Sequence, residues 1–376
     1  MFIKLKASFN EFLIKAFLER KGATFHLNEK NLSEMVKGRL ITSMPFLRCH
    51  ETENFVANNI GLLTIPDPKF SIQSEKPSEL DLRLRAGPFD ILGLSKQRDS
   101  DRSTLGSLVR QRSGPVEDWG DVALVVGSFF TSNYFHWLTD VLGDLYFLEK
   151  NGANINDFKY VALPLGGYAW QQEIVRILGV RNAISYRQLP EKKVSQCVVV
   201  FRTKGSATKL PTWQSAAIRR LDRVTGTELG GARRESKPVL YIKRGEGQRR
   251  RLLNEEALLA SLSHFGVKVV ELENLSVLEQ IRVFKQAKAV VGPHGAGFTN
   301  IAFCAPNTTI IDIFPESKKT PCFWLIASQS QLDYRAVWGK AVSCLRGKQF
   351  DDIWLNAEHI EEIVRVIETG LAANAG

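Results

Sequence analysis

The sequence predicts an α/β protein built from two Rossmann-like, doubly wound domains, and three observations carry that expectation. From residue 121 onward, short apolar strands alternate with amphipathic helices. The alternation falls into two blocks separated by "TGTELGGARRESKP", a Gly-rich polar stretch suited to a linker. At 376 residues, 44% of them hydrophobic, the chain has room for two cores at about 100–200 residues each. The expected division is 1–228 for an N-terminal domain and 229–376 for a C-terminal domain whose last helix packs back on the first. Within the former, 1–120 is an irregular, strand-containing leader and 121–228 is Rossmann-like.

In chain order, "MFIKLKASFNEFLIKAFLERK" opens with Phe2, Leu5, Phe9, Leu13 and Phe17 at helical spacing among Lys4, Lys6, Lys15, Arg20 and Lys21. Such a basic amphipathic helix either docks on a core or lies on an anionic membrane surface. "ELDLRLRAGPFDILGL" alternates Leu80, Leu82 and Leu84 with charges and predicts a half-buried strand ending at a Gly-Pro turn. Asp99-Ser100-Asp101 has the form of a metal-binding DxD, but it lies in a polar run and predicts a solvated loop.

The first block then gives strand "VALVV", helix "NYFHWLTDVLGDLYFLEK", strand "KYVALPL", helix "AWQQEIVRILG", strand "CVVVF" and helix "PTWQSAAIRRLDRV". The second gives strand "VLYIKR", helix "NEEALLASLSHFG", strand "VKVVEL", helix "SVLEQIRVFKQA", strand "AVVG", helix "AGFTNIAFC" and strand "TTIIDIF". The tail adds "CFWLIASQSQ", "YRAVW" and a final helix "IWLNAEHIEEIVRVIETG".

Five scattered cysteines, none in a CxxC pair, exclude a disulfide framework and a zinc knuckle and favour a reducing compartment. The sequence shows no secretory signal pattern and no apolar run near the ~20 residues that span a bilayer. A net charge of +10 suits a polyanion, an anionic membrane or a phosphorylated substrate without choosing among them.

The chemistry concentrates in "VVGPHGAGFTN". In a doubly wound domain ligands bind beyond the carboxyl ends of strands, and Gly292, Gly295, Ala296 and Gly297 follow such an end. Small residues there let the backbone approach a diphosphate, and His294 adds a side-chain donor. The motif lacks the Lys-Ser/Thr of a Walker loop, and Asn300 stands where the dinucleotide fingerprint has its third Gly. Arg244 follows a strand, and Arg250 precedes a helix within Arg249–Arg251. Guanidinium forks there match phosphate oxygens. Asn254 reads as that helix's N-cap, with Glu255 in its first turn, and Asp312 at a strand end suits a ribose hydroxyl. In the other block His136, Asp140 and Asp144 share one helix face, and a carboxylate one turn from a His orients it as a base.

"NYFHWLTDVL", "YIKRGEGQRRRLLNEEAL" and "GPHGAGFTNIAFCAPNTTIIDIFP", in this order across about residues 121–340, resemble glycosyltransferase family 61. The resemblance implies a GT-B architecture of two Rossmann-like domains facing across a cleft. It also implies inverting transfer of a hexosyl or pentosyl group from a nucleotide-sugar donor to a saccharide acceptor, with no metal or other cofactor. The family's pattern maps onto His136 and Asp140 as catalytic residues, and onto Arg244, Arg250, Asn254, Glu255, Gly292, His294, Gly295, Gly297 and Asn300 as donor-binding residues. The chain departs at Gly143-Asp144, where the family has Pro-Arg, and at Asp312, where it has Glu. The resemblance further suggests a bacterial, cytoplasmic enzyme of capsule or surface-polysaccharide synthesis, with the basic N-terminal helix holding it at the inner membrane face near a lipid-linked acceptor. Two other readings stay open. One is a degenerate transferase that binds sugar nucleotides without turnover. The other is a nucleic-acid binder built on the Arg clusters, although no recognition motif is present.

Overall fold

The computed structural model describes strand residues 24–27, 60–66, 69–72, 82–86, 89–93 and 118–124, then residues 133–150, 152–191, 193–202, 210–211, 213–225, 238–245, 249–318, 320–343 and 350–373. The N-terminal amphipathic segment, the Asp99-Ser100-Asp101 motif and the Gly-rich stretch 226–237 lie outside the described residues. The described residues divide into two compact units, those up to 202 in the first and those from 210 in the second.

The first unit holds a six-stranded mixed sheet of order β1-β2-β9-β6-β7-β8. Its parallel part is β6 (Asp118–Leu124), β7 (Tyr160–Leu163), β8 (Ala183–Ser185) and β9 (Lys193–Arg202). The expected leader is not set apart from it. β2 (Ile60–Pro66) runs antiparallel beside β9 from Ile60↔Arg202 to Pro66↔Gln196, and β1 (Thr24–Leu27) pairs antiparallel with β2. An antiparallel edge on a parallel sheet is an ordinary way to extend it. The predicted strand around Leu82 and Leu84 is present as β4 (Leu82–Ala86). It pairs with β3 (Lys69–Ile72) and, across Gly87-Pro88, with β5 (Phe89–Gly93).

Between β6 and β7 runs one helix, α1, in three parts. Tyr134–His136 is α-helical, Trp137–Val141 is a π turn closed by the Leu142 N–H on the Trp137 carbonyl, and Leu142–Lys150 returns to α. The Asn133 side chain caps it by accepting the His136 N–H. Helix α2 (Ala169–Ile177) follows β7.

The second unit is a cleaner doubly wound sheet. Five parallel strands, β10 (Val239–Ile242), β11 (Val267–Val270), β12 (Ala289–Pro293), β13 (Thr309–Pro315) and β14 (Asp333–Val342), run in the order β11-β10-β12-β13-β14. β10, β12 and β13 are buried along their whole length, as strands covered on both faces must be. In chain order this is 2-1-3-4-5, so winding reverses between β10 and β12. β10 and β12 approach closely there: a Cβ on Gly292 would stand 2.8 Å from the Ile242 carbonyl oxygen.

Three expectations are corrected here. Helix α3 (Gln214–Thr225), expected with the N-terminal domain, belongs to the second unit. Its Ser215 N–H donates to Gln329 Oε1 at 2.9 Å, and Asp222 pairs with Lys285 at 2.7 Å. Ile353 and Trp354, expected to open the final helix, lie in β15 (Asp352–Trp354) antiparallel to β14, and helix α7 (Ala357–Ala373) starts only after Asn356, whose Oδ1 accepts the His359 N–H. The last helix, α7, expected to pack back on the first domain, buries Ile363 and Ile367 against Val239, Ala289, Val291 and Ile311 of its own sheet. The remaining helices are α4 (Glu255–Leu262), α5 (Val277–Gln286) and α6 (Cys322–Gln329).

Candidate active site

The reversal point of the second sheet gathers the charged residues. β12 ends at Pro293, and the His294 N–H still pairs with the Ile313 carbonyl at 2.8 Å. That fixes the direction of the His294 carbonyl, which accepts from two guanidiniums: Arg244 Nη1 at 3.0 Å and Arg250 Nε at 2.9 Å. Arg244 Nη1 also donates to the Arg249 carbonyl at 2.7 Å. Gly295 has an extended backbone open to any residue, but a Cβ there would stand 2.6 Å from Arg244 Nη2, so any side chain would displace that guanidinium. Arg250 sits at φ +60°, a conformation costing a non-glycine residue about 1–3 kcal/mol, and so is held inward against strain.

The His294 ring points into the unit. Its Nδ1 lies 3.0 and 3.2 Å from the two oxygens of Asp312, it stacks on Phe314 with centroids 4.2 Å apart, and Phe323 lies beside it. Tyr334 Oη donates to Asp312 Oδ2 at 2.7 Å. Asp312, expected at a ribose, is fully buried here and engaged by His294 and Tyr334, which makes it an orienting group for the imidazole.

Three cations crowd this end, each with its pKa lowered first by burial. Burial, then Arg250, lowers the Arg244 pKa to about 10. Burial also lowers Arg250, and burial followed by Arg250 lowers Lys318, just past β13. His294 is pushed down by burial, against the pull of Asp312, with Arg250 and Lys318 adding to the depression. Glu273, Asp312 and Asp352 pull Arg244 the other way, but cations that depress one another still favour an incoming anion. Two guanidiniums and an ammonium suit phosphoryl oxygens best. Lys318 was absent from the sequence expectations, its signal being only a lysine a few residues past a strand end.

The rest of the motif supports the structure from within. Asn300 is wholly buried and donates to Gln280 Oε1 at 2.8 Å. Gly297 lies against Leu272, and Ala296 accepts the Thr299 hydroxyl at 2.7 Å. The segment Ala296–Phe303, expected as an α-helix, is a 3-10 helix buried from Phe298 to Phe303, its packing having overridden the usual period. Asn254 occupies the N-cap position of α4 without a capping bond. Its amide instead grips Leu355, donating to the carbonyl at 2.7 Å and accepting the N–H at 3.1 Å. Glu255 accepts from the Tyr241 hydroxyl at 2.8 Å. The arginine run divides three ways: Arg249 lies over the Phe350 ring at 4.0 Å, Arg250 turns to His294, and Arg251 pairs with Asp352 at 2.8 Å. A nucleic-acid face would present all three together.

In the first unit, His136 Nδ1 lies 3.3 Å from Asp140 Oδ2. From Phe135 to Leu145 every residue is buried except these two. The Thr139 hydroxyl bonds back to the Phe135 carbonyl at 2.8 Å and lies 3.2 Å from Asp140 Oδ1. Asp140 is part of the π turn, a local irregularity often found at functional sites. Asp144, expected on the same open face, is wholly buried, because the helix is enclosed on nearly all sides from Trp137 to Leu148.

Residues 134–311 match the model of the family described as Glycosyltransferase 61. A Beta-1,2-xylosyltransferase of Arabidopsis thaliana is 34% identical over 121 residues, covering 26% of this chain and 23% of that protein. Beta-1,2-xylosyltransferase RCN11 of Oryza sativa subsp. japonica is 33% identical over 64 residues, covering 17% of this chain and 12% of that protein. The matches thus span less than a quarter of these relatives' lengths. Among solved structures, the Flv1 flavodiiron core from Synechocystis matches with a TM-score of 0.26 at 8% identity, over 54% of this chain and 47% of that one, a likeness that carries no weight for the fold.

Proposed function

We propose that this protein is a glycosyltransferase of family 61 that moves a sugar from a nucleotide-sugar donor to a hydroxyl of a saccharide acceptor. The observation that carries the proposal is the pair of guanidiniums on the His294 carbonyl at the reversal point of the second sheet. Arg244, Arg250 and Lys318 hold the donor diphosphate, and their charges offset the charge that grows on it as the glycosidic bond breaks. Fixed side-chain cations thereby take the part that a divalent ion plays elsewhere, so transfer is expected to survive chelation. His136, oriented by Asp140, takes the acceptor hydroxyl's proton, and the oxygen attacks the anomeric carbon opposite the leaving diphosphate. Such a one-step displacement inverts the configuration and needs no enzyme nucleophile.

The two plant relatives direct the first donor test to nucleotide-activated xylose, with hexose donors beside it. A place in surface-polysaccharide synthesis in the cytoplasm, with a lipid-linked acceptor, rests on the sequence resemblance alone. Among the described residues no helix is long and apolar enough to cross a membrane.

The test is a thermal-shift screen with nucleoside diphosphates and nucleotide sugars, with and without EDTA. A ligand that binds only the native protein raises Tm by mass action. One stabilising nucleotide, unaffected by EDTA and lost in Arg244→Ala, supports the proposal; silence across the panel overturns it. Stabilisation by a nucleotide sugar, with no transfer to any acceptor, would instead favour the degenerate binding protein.

A further inference from the structure

The loop that leaves β7 carries an arrangement that the proposed chemistry has not used. Residues 164–168 join the carboxyl end of β7 to α2, and they are pinned at several points. Trp137 Nε1 donates to the Pro164 carbonyl at 3.4 Å, tying the loop to the residue next to His136. The Ser185 hydroxyl donates to the Leu165 carbonyl at 3.3 Å. The Gly166 N–H donates to Oε1 of Gln171, a wholly buried side chain, at 2.8 Å. Gly167 takes a left-handed φ of +82°, which turns the chain so that Tyr168 precedes α2.

The fixed loop presents aromatic rings. Trp170 stacks with Tyr168, centroids 5.9 Å apart and planes 23° from parallel. It meets Tyr134 edge-on at 5.3 Å and Trp137 edge-on at 5.6 Å. Trp137 is buried and backs the group, whereas Tyr134, Tyr168 and Trp170 are each partly exposed. Tyr134 and Trp137 belong to the same stretch of α1 as His136. An aromatic cluster meant for the core would be closed over by aliphatic neighbours; this one lies at a parallel strand's carboxyl end, where α/β sheets bind ligands.

We propose that Tyr134, Tyr168 and Trp170 form the shelf on which the saccharide acceptor seats a pyranose ring, beside the His136–Asp140 pair. One face of a pyranose carries axial C–H bonds that lie flat on an aromatic ring, while its rim of hydroxyls stays free for the tyrosine O–H groups and water. A shelf fixed before binding loses little entropy when the sugar arrives. The proposal rests on the transferase reading, and its test separates the two.

The direct test is saturation-transfer NMR on the full chain without donor, using methyl β-D-xylopyranoside, xylobiose and mannobiose as probes. The expected result is transfer to one face of at least one probe, lost in Trp170→Ala and in Tyr168→Ala and partly kept in Trp170→Phe. Nucleotide affinity should stay as in the unaltered protein. In transfer assays the same variants should raise the acceptor KM about tenfold, the worth of one aromatic contact, with little change in kcat. Failure of all three probes to bind overturns the shelf, as does equal binding by the alanine variants. If nucleotides fail to bind while a pyranoside is held on Trp170, the transferase reading falls and the sugar site stands. Tyr168, at the loop's end, gives the decisive variant if Trp170→Ala unfolds.

Discussion

Each unit contains a histidine held by a carboxylate, and the two pairs are built in opposite ways. His294, just past the end of β12, and Asp312, on β13, are almost completely buried at 5% and 0% side-chain exposure, and are braced by Tyr334 and Phe314. His136 and Asp140 lie one turn apart on a single helix, each 23% exposed. The first pair fixes a backbone carbonyl and the cations gathered on it; the second meets whatever enters from solvent. Burial makes a group rigid, and access makes it reactive. Under the proposed function, the second unit would supply positioning and charge and the first unit proton transfer.

The sharpest way to break that assignment is Arg244→Ala, which removes a buried cation from the proposed leaving diphosphate. We expect kcat/KM for transfer to fall by about 10³-fold, with nucleotide affinity falling in parallel. Gly295→Val is a companion that leaves every charge in place, since its side chain must displace the guanidinium that already lies 2.6 Å from a Cβ there. Isothermal titration with nucleoside diphosphate reads both. Unchanged affinity in both variants would mean that the cations serve the fold.

Next in size is His136→Ala, expected to lower kcat by about 10²–10³-fold while donor affinity holds. Asp140→Asn should retain more activity, because an amide still orients the ring. Equal losses in the two variants would refute the division between base and orienting residue.

A smaller effect is read in the pH dependence of stability. Burial lowers the pKa of His294 from its usual 6.5, so just below that value the unfolded chain binds the proton and the folded chain does not. Stability therefore rises with pH up to about 6.5 and is lost on acidification below it. His294→Asn, which keeps a donor toward Asp312, should flatten that part of the Tm profile. A bound diphosphate should pull the proton back onto His294, so nucleotide affinity should increase as pH falls from 7.5 to 5.5. Parallel Tm profiles for the two proteins would remove His294 from this account.

Legibility in the sequence followed the range of each interaction. The second sheet was readable because its inner strands β10, β12 and β13 are short, mostly apolar runs, and Arg244, Arg250 and His294 follow strand ends or precede helices within it. The pairing of 60–66 with 193–202 was hidden, since a seven-residue apolar run says nothing about a partner more than a hundred residues away. Asp312 shows the same limit: a strand-end acid looks alike whether it faces a ribose or a buried imidazole. Lys318 and the Tyr134–Tyr168–Trp170 group are non-local too, and single residues carry no period. The His136–Asp140 pair was legible because four residues on a helix suffice to bring it together, but the π turn beneath it was not.

Asn254 turns that lesson into the smallest prediction. The sequence suggests a cap, and the structure shows its amide bonded both ways to Leu355, joining the start of α4 to the residue after β15. If capping were its role, Asn254→Ser or Asn254→Asp would be nearly silent, because both are good caps. If the bridge is its role, serine is too short to reach and aspartate keeps the acceptor but loses the donor. Asn254→Ser should then cost about 1–2 kcal/mol and Asn254→Asp somewhat less, read by denaturant midpoint at constant m. Nucleotide affinity should not change in either variant, since the bridge lies within the supports of the site. A serine variant as stable as the unaltered protein would restore the capping role, and a loss of nucleotide affinity without loss of stability would place Asn254 against the donor.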